Sequence, residues 1–206
     1  MHLRSLLACL ALACPGAVAA QAHDDYAQML GYLSDHTRID GQALSDASGA
    51  IAVNQAAGDL NLQANLRALA NGGHAQATVQ SIQIHAGDRH DTPLHASATL
   101  AGDALSGASG IASINQASGS GNSELNVVAA TLADQGIRET NDDALASFAS
   151  AGGQGEVKKD LPGGTRSVAV ESTALRGFGG VLQLNQIAGS GNATGNQLGL
   201  SVQGGP

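Results

Sequence analysis

The chain has 206 residues, a net charge of −8, only two Phe, two Tyr and no Trp. That length suits one ordinary domain, and the lack of aromatics excludes a thick conventional core. The acidic balance argues against nucleic acid, whose phosphates need clustered Lys and Arg. Most apolar residues are Ala, Leu, Val and Ile, and Gly is abundant at 28 residues. Such a composition suits a narrow, stacked β-structure better than a thick two-layer domain.

Residues 1–22 read as a secretory signal peptide. Arg4 precedes an apolar run over 6–13, and Val18-Ala19-Ala20 and Ala20-Gln21-Ala22 both suit signal peptidase. The apolar run is too short to span a bilayer. A lipoprotein signal using Cys14 fits less well, because Ala11 stands where a branched aliphatic residue is usual. Cys9 and Cys14 both lie in this segment, so the exported chain is expected to carry no disulfide. Residues 23–43 form an N-terminal arm. Within it, Tyr26, Met29, Leu30 and Leu33 recur at helical spacing, which predicts a short helix over 23–40.

The next feature governs the architecture. Residues 44–65, 105–126 and 175–196 align without a gap over 22 positions. Seven columns are identical: Leu44/Leu105/Leu175, Gly49/Gly110/Gly180, Asn54/Asn115/Asn185, Gln55/Gln116/Gln186, Gly58/Gly119/Gly189, Asn61/Asn122/Asn192 and Asn65/Asn126/Asn196. One copy cannot bury its own apolar face, so the copies are expected to stack. Each reads as strand, arc, strand, with Gly58, Gly119 and Gly189 opening the turn.

Between the repeats lie two linkers, 66–104 and 127–174. In the first, a near-alternating run over 77–85 and a second over 94–100 flank a polar turn, which predicts a hairpin. In the second, Asn141-Asp142-Asp143 suits the cap of a short helix with Leu145 and Phe148 on one side. Residues 152–164 read as a mobile loop, and 165–174 alternate again. Residues 175–206 hold repeat three and the C-terminus.

In-register stacking gives the amides a reason. Identical Asn or Gln side chains about 4.8 Å apart form a ladder in which each amide donates to the next. A charge there would repel its own image, and a hydrophobe would not set register. The expected self-assembly ladder is Asn54, Gln55, Asn61 and Asn65 in copy one, Asn115, Gln116, Asn122 and Asn126 in copy two, and Asn185, Gln186, Asn192 and Asn196 in copy three. The fold class is therefore all-β, a β-solenoid or β-arch stack of three imperfect repeats with flexible linkers.

The pattern G-x-x-x-[VIL]-N-Q-x-x-G-x-x-N-x-x-x-N, written three times behind a signal peptide and separated by two linkers, resembles Fap-type functional amyloid subunits. It is more distantly similar to curlin repeats. The resemblance implies a secreted structural protein, a fibre subunit in the biofilm of a Gram-negative bacterium. Its implied partners are copies of itself, related fibre subunits and an outer-membrane export pore. Fap fibre subunits tend to end in Cys-x-Cys, whereas this chain ends Val202-Gln203-Gly204-Gly205-Pro206, so a minor or nucleating subunit is also expected. The competing readings are a monomeric surface adhesin and a periplasmic chaperone of fibre subunits.

No cofactor is implied. His85, Asp88, His90, Asp91 and His95 are ligand types without a settled zinc spacing, and read as a solvated turn. Asp142-Asp143 lacks a calcium-loop pattern. No Gly-x-Ser-x-Gly elbow or phosphate-binding loop appears, so no enzyme is expected.

Overall fold

The computed structural model describes residues 34–73, 75–85, 92–133, 145–150 and 163–203. Among them the chain is all β. Rung one contains β1 (Ser34–Ile39), β2 (Ser48–Ala57), β3 (Leu62–Gly72) and β4 (Val79–Ile84). Rung two repeats the series as β5 (His95–Leu100), β6 (Ser109–Ser118), β7 (Ser123–Ala133) and β8 (Leu145–Ser150). Rung three supplies β9 (Thr165–Val170), β10 (Gly179–Ala188) and β11 (Ala193–Gln203).

Each strand pairs in parallel with its own counterpart. The sheets run β1-β5-β9, β2-β6-β10 and β3-β7-β11, with a fourth, two-stranded sheet of β4 and β8. Register is one-to-one, Asn54 to Asn115 to Asn185 and Asn65 to Asn126 to Asn196. Within a rung the chain folds back at each corner. The β1 sheet therefore covers the β2 sheet, which covers the β3 sheet, which covers the β4 sheet. The result is a serpentine β-arch stack. Rung two lies between the other two and is the most deeply buried.

Two sequence expectations change here. The hairpin over 77–100 does not form: β4 pairs with β8, and β5 with β1 and β9, all in parallel. Alternation marks a strand but not its partner. The stack gives both runs an in-register partner one copy away. Second, residues 34–39, placed in the N-terminal helix, form strand β1, and Leu145 and Phe148 lie on strand β8. The Tyr26 to Leu33 spacing, the signal peptide, the Asn141-Asp142-Asp143 cap, Asp88, His90, Asp91 and most of loop 152–164 lie outside the described residues.

The structural repeat is longer than the aligned one. It begins at Ser34, His95 and Thr165, upstream of Leu44, Leu105 and Leu175, and runs on to Gly72, Ala133 and Gln203. These flanks vary in sequence because they need only alternate, whereas the arcs need particular residues.

The dry core lies between the β1 and β2 sheets. Ile39 and Leu100 meet Ile51, Ala112 and Ile114, and the corner residues Ala104, Leu105, Ala108 and Ala174 close its side. Leu44, Leu175 and Phe178 pack against this cluster, which explains the invariant leucine column.

The glycine columns answer a different demand. Gly110 and Gly180 have φ of 114° and 125°. A Cβ on either would lie 2.1 Å from the carbonyl oxygen of the glycine one rung below. In the arc, Gly121 and Gly191 have φ near 70°, and copy one holds Leu60 there at φ 58°. A leucine in left-handed backbone carries strain that glycine does not. Leu60→Gly is therefore expected to stabilise the folded chain by about 1 kcal/mol, read as a shift in the denaturant midpoint.

Candidate functional site: the amide ladders

Strand alternation splits the Asn-Gln pair between two faces. Gln55 points towards the β1 sheet and Asn54 towards the β3 sheet, so one dipeptide joins three layers.

On the Asn face, Asn115 Nδ2 donates to Asn54 Oδ1 at 3.0 Å, and Asn185 Nδ2 donates to Asn115 Oδ1 at 2.9 Å. Facing it, Asn126 Nδ2 donates to Asn65 Oδ1, and Asn196 Nδ2 to Asn126 Oδ1, each at 2.9 Å. The two columns are joined within every rung. Asn65, Asn126 and Asn196 donate to Asn54, Asn115 and Asn185 at 2.8, 2.8 and 2.9 Å. The result is a double ladder with bonds along and across the stack.

Gln116 Nε2 donates to Gln55 Oε1 at 3.0 Å and Gln186 Nε2 to Gln116 Oε1 at 2.8 Å. The same Nε2 atoms donate to backbone carbonyls of the β1 sheet, those of Arg38, Thr99 and Ala169. Asn61, Asn122 and Asn192 guard the arc: Asn122 Nδ2 donates to Asn61 Oδ1 and to Gly189 O, and Asn192 Nδ2 to Asn122 Oδ1. All the expected ladder residues thus fall in columns with their counterparts. Gly58 and Gly119 sit beneath them, where a Cβ would lie 2.5 and 2.2 Å from the next rung's carbonyl oxygen.

A net hydrogen bond contributes about 1 kcal/mol, and a buried polar group left without one costs about 1–3 kcal/mol. Asn115, Gln116, Asn122 and Asn126 are wholly buried, so a slip of register would leave all of them unmatched. The ladders therefore act on specificity more than on net stability.

Sequence reasoning missed several members of this layer, Glu124 foremost. Glu124 is buried in the Gln63/Glu124/Thr194 column. Gln63 Nε2 donates to its Oε2, while among the described residues Oε1 and the neighbouring Thr194 Oγ1 have no partner. Burial pushes this carboxyl up to about 7 from its ordinary 4.5, against the opposing effect of the Gln63 amide. The visible signal was a lone acid inside an otherwise nearly uncharged block. Ser113 also extends the polar layer, donating to Gln183 Oε1 at 3.1 Å, and Gln183 Nε2 donates to Val127 O.

Of the five ligand-type residues in linker one, the described pair part company. His85 lies beside Asn122 O, and His95 beside Thr165 Oγ1 on β5. Among the described residues no three His, Cys, Asp or Glu come together to hold a metal, and no helix is long and apolar enough to cross a membrane.

Parallel, in-register strands carrying stacked amides define the class of cross-β repeat proteins. Within that class the chain matches the functional amyloid protein FapB/FapC family over residues 16–203, and it belongs to that family. No solved structure matches it.

The Glu124 carboxyl gives a pH prediction. Its folded pKa lies above the unfolded one, so the folded state binds the extra proton. Stability is full below about pH 4.5 and falls as pH rises towards 7, by on the order of 3 kcal/mol. Glu124→Gln, which continues the Gln63 amide, is expected to flatten this slope and raise stability at pH 8. Denaturant midpoints at pH 4, 6 and 8 check it. An unchanged slope would show that another group controls the dependence.

Proposed function

We propose that this chain is a subunit of an extracellular amyloid-like fibre in a bacterial biofilm matrix, exported through the periplasm and an outer-membrane pore. One observation carries the reading. The columns that hold rung two on rung one are the same columns that the outer faces of rungs one and three present. β2 and β3 pair on one side only among the described strands, as do β10 and β11. An incoming copy therefore meets strand edges and amides already spaced for it, and addition repeats the contact made inside the chain. The family to which the chain belongs supports this reading. A minor or nucleating subunit would use the same columns to start fibres that a related subunit extends.

The exported chain, incubated at neutral pH, is expected to show a lag, then thioflavin fluorescence and a cross-β diffraction pattern. The triple change Asn54→Asp, Asn115→Asp and Asn185→Asp tests the ladder. It places carboxylates about 5 Å apart, at a cost on the order of 3 kcal/mol per contact. Assembly should fail at pH 7 and partly recover near pH 4, where some of the carboxylates protonate. Assembly at the parent rate at pH 7 would refute the ladder.

A further inference from the structure

A structure held in register by asparagine is exposed to the chemistry of asparagine. The backbone nitrogen of the following residue can attack the Asn Cγ. A new N–Cγ bond forms, the attacking N–H gives up its proton, and the side-chain nitrogen leaves with it as ammonia. Water then opens the cyclic imide to Asp or to isoAsp. Ring closure needs a free nucleophile, a mobile backbone and little crowding, so glycine in the following position favours it.

The chain has eleven Asn, and one of them, Asn71, is followed by glycine. Asn71 is exposed near the end of β3. Its column holds Leu132 and Val202, which sets it outside the amide ladder. A Cβ on Gly72 or on Gly73 would meet nothing within 4 Å, so the ring has room to close. Leu62 N donates to Asn122 O at 2.8 Å, and alternation along β3 makes Gly72 N the last donor of that strand. Such terminal bonds open at little cost.

The nine ladder asparagines differ on every count. Each is followed by a residue with a side chain. Asn126 Nδ2 donates to Asn65 Oδ1, to Ile114 O and to Asn115 Oδ1, which fixes its carboxamide. Asn122 precedes the small Ser123 and is the most exposed to attack by sequence alone. In the stack it is wholly buried, its Nδ2 donates to Asn61 Oδ1 and Gly189 O, and Ser123 N donates to Asn192 O at 2.8 Å. These groups react only after a rung opens.

We propose that Asn71 is the site of spontaneous deamidation in the folded stack, and that folding confines this chemistry to Asn71 and spares the ladder. The molecule then ages at a corner and keeps the amides that set its register. A carboxylate at a ladder position would lose the donor its neighbour needs. At Asn71 it meets solvent beside Leu132. The isoAsp product places one extra atom in the main chain, and the single pair beyond it is Gly72 with Ala133. The inference concerns the folded chain and holds whether or not copies assemble.

Peptide mass mapping tests it. The exported chain is incubated at pH 8, folded and in guanidinium chloride, and each Asn is followed by the mass gained when an amide becomes a carboxyl. In the folded chain Asn71 should convert at least about tenfold faster than any ladder Asn. Denaturant should speed the ladder positions about tenfold or more and change Asn71 by about twofold at most. Gly72→Ala should slow Asn71 about tenfold; measured in denaturant, this comparison does not depend on the variant's fold. Asn71→Ser should abolish the mass gain in its peptide. An Asn71 no faster than the ladder in the folded chain, ladder rates unchanged by denaturant, or a parent rate in Gly72→Ala would each overturn the proposal.

Discussion

Every side chain in the middle of this molecule lies beside its own counterpart one rung away. That constraint selects the residues at each position. An amide beside an amide finds both a donor and an acceptor, as Asn54, Asn115 and Asn185 do. A carboxylate beside a carboxylate would find only repulsion. A glycine beside a glycine lets two backbones approach where a Cβ would strike a carbonyl oxygen, as at Gly49 and Gly110. In-register stacking thus turns the repeat from a pattern into a physical requirement.

The same constraint explains how a chain nearly without aromatics holds together. Sheet β2-β6-β10 works on two faces. Ile51, Ala112 and Ile114 build the dry layer against the β1 sheet, and Asn54, Asn115 and Asn185 build the hydrogen-bonded layer against the β3 sheet. Small aliphatic residues suffice because the layers are thin and each rung is covered by the next. Gln55 and its counterparts pin the dry layer by reaching carbonyls of the β1 sheet. Hydrophobic burial holds the layers together, while the amides decide which residue faces which.

Charge is admitted mainly at the edges of this scheme, and Glu124 and Arg67 are the exceptions among the described residues. Asp35, Asp59 and Arg166 stand at the ends, where their columns have an uncharged member between them. Glu124 sits inside, and burial raises its pKa; Arg67 on β3 also reaches inward to the Ile51 carbonyl, and burial lowers its pKa. An interior acid that favours its neutral form makes the stack sensitive to pH. That property follows from rungs that are alike but not identical.

The architecture was legible in the sequence because stacking acts on identical positions. Seven invariant columns over 22 residues announced the repeat, its arcs and its amides without a coordinate. Three things were decided only by the tertiary structure. The flanks β1, β5 and β9 share alternation but few letters, since a strand on a sheet needs a period of two and little else. Their membership in the repeat shows only in the register. Runs 77–85 and 94–100 are equally good strands for a hairpin or for a stack; the neighbouring copy offers each a parallel partner, and that settles the pairing. Asp35 and Arg166 lie 131 positions apart, and nothing local connects them. They become one column because three rungs place the same strand position at both ends of the molecule.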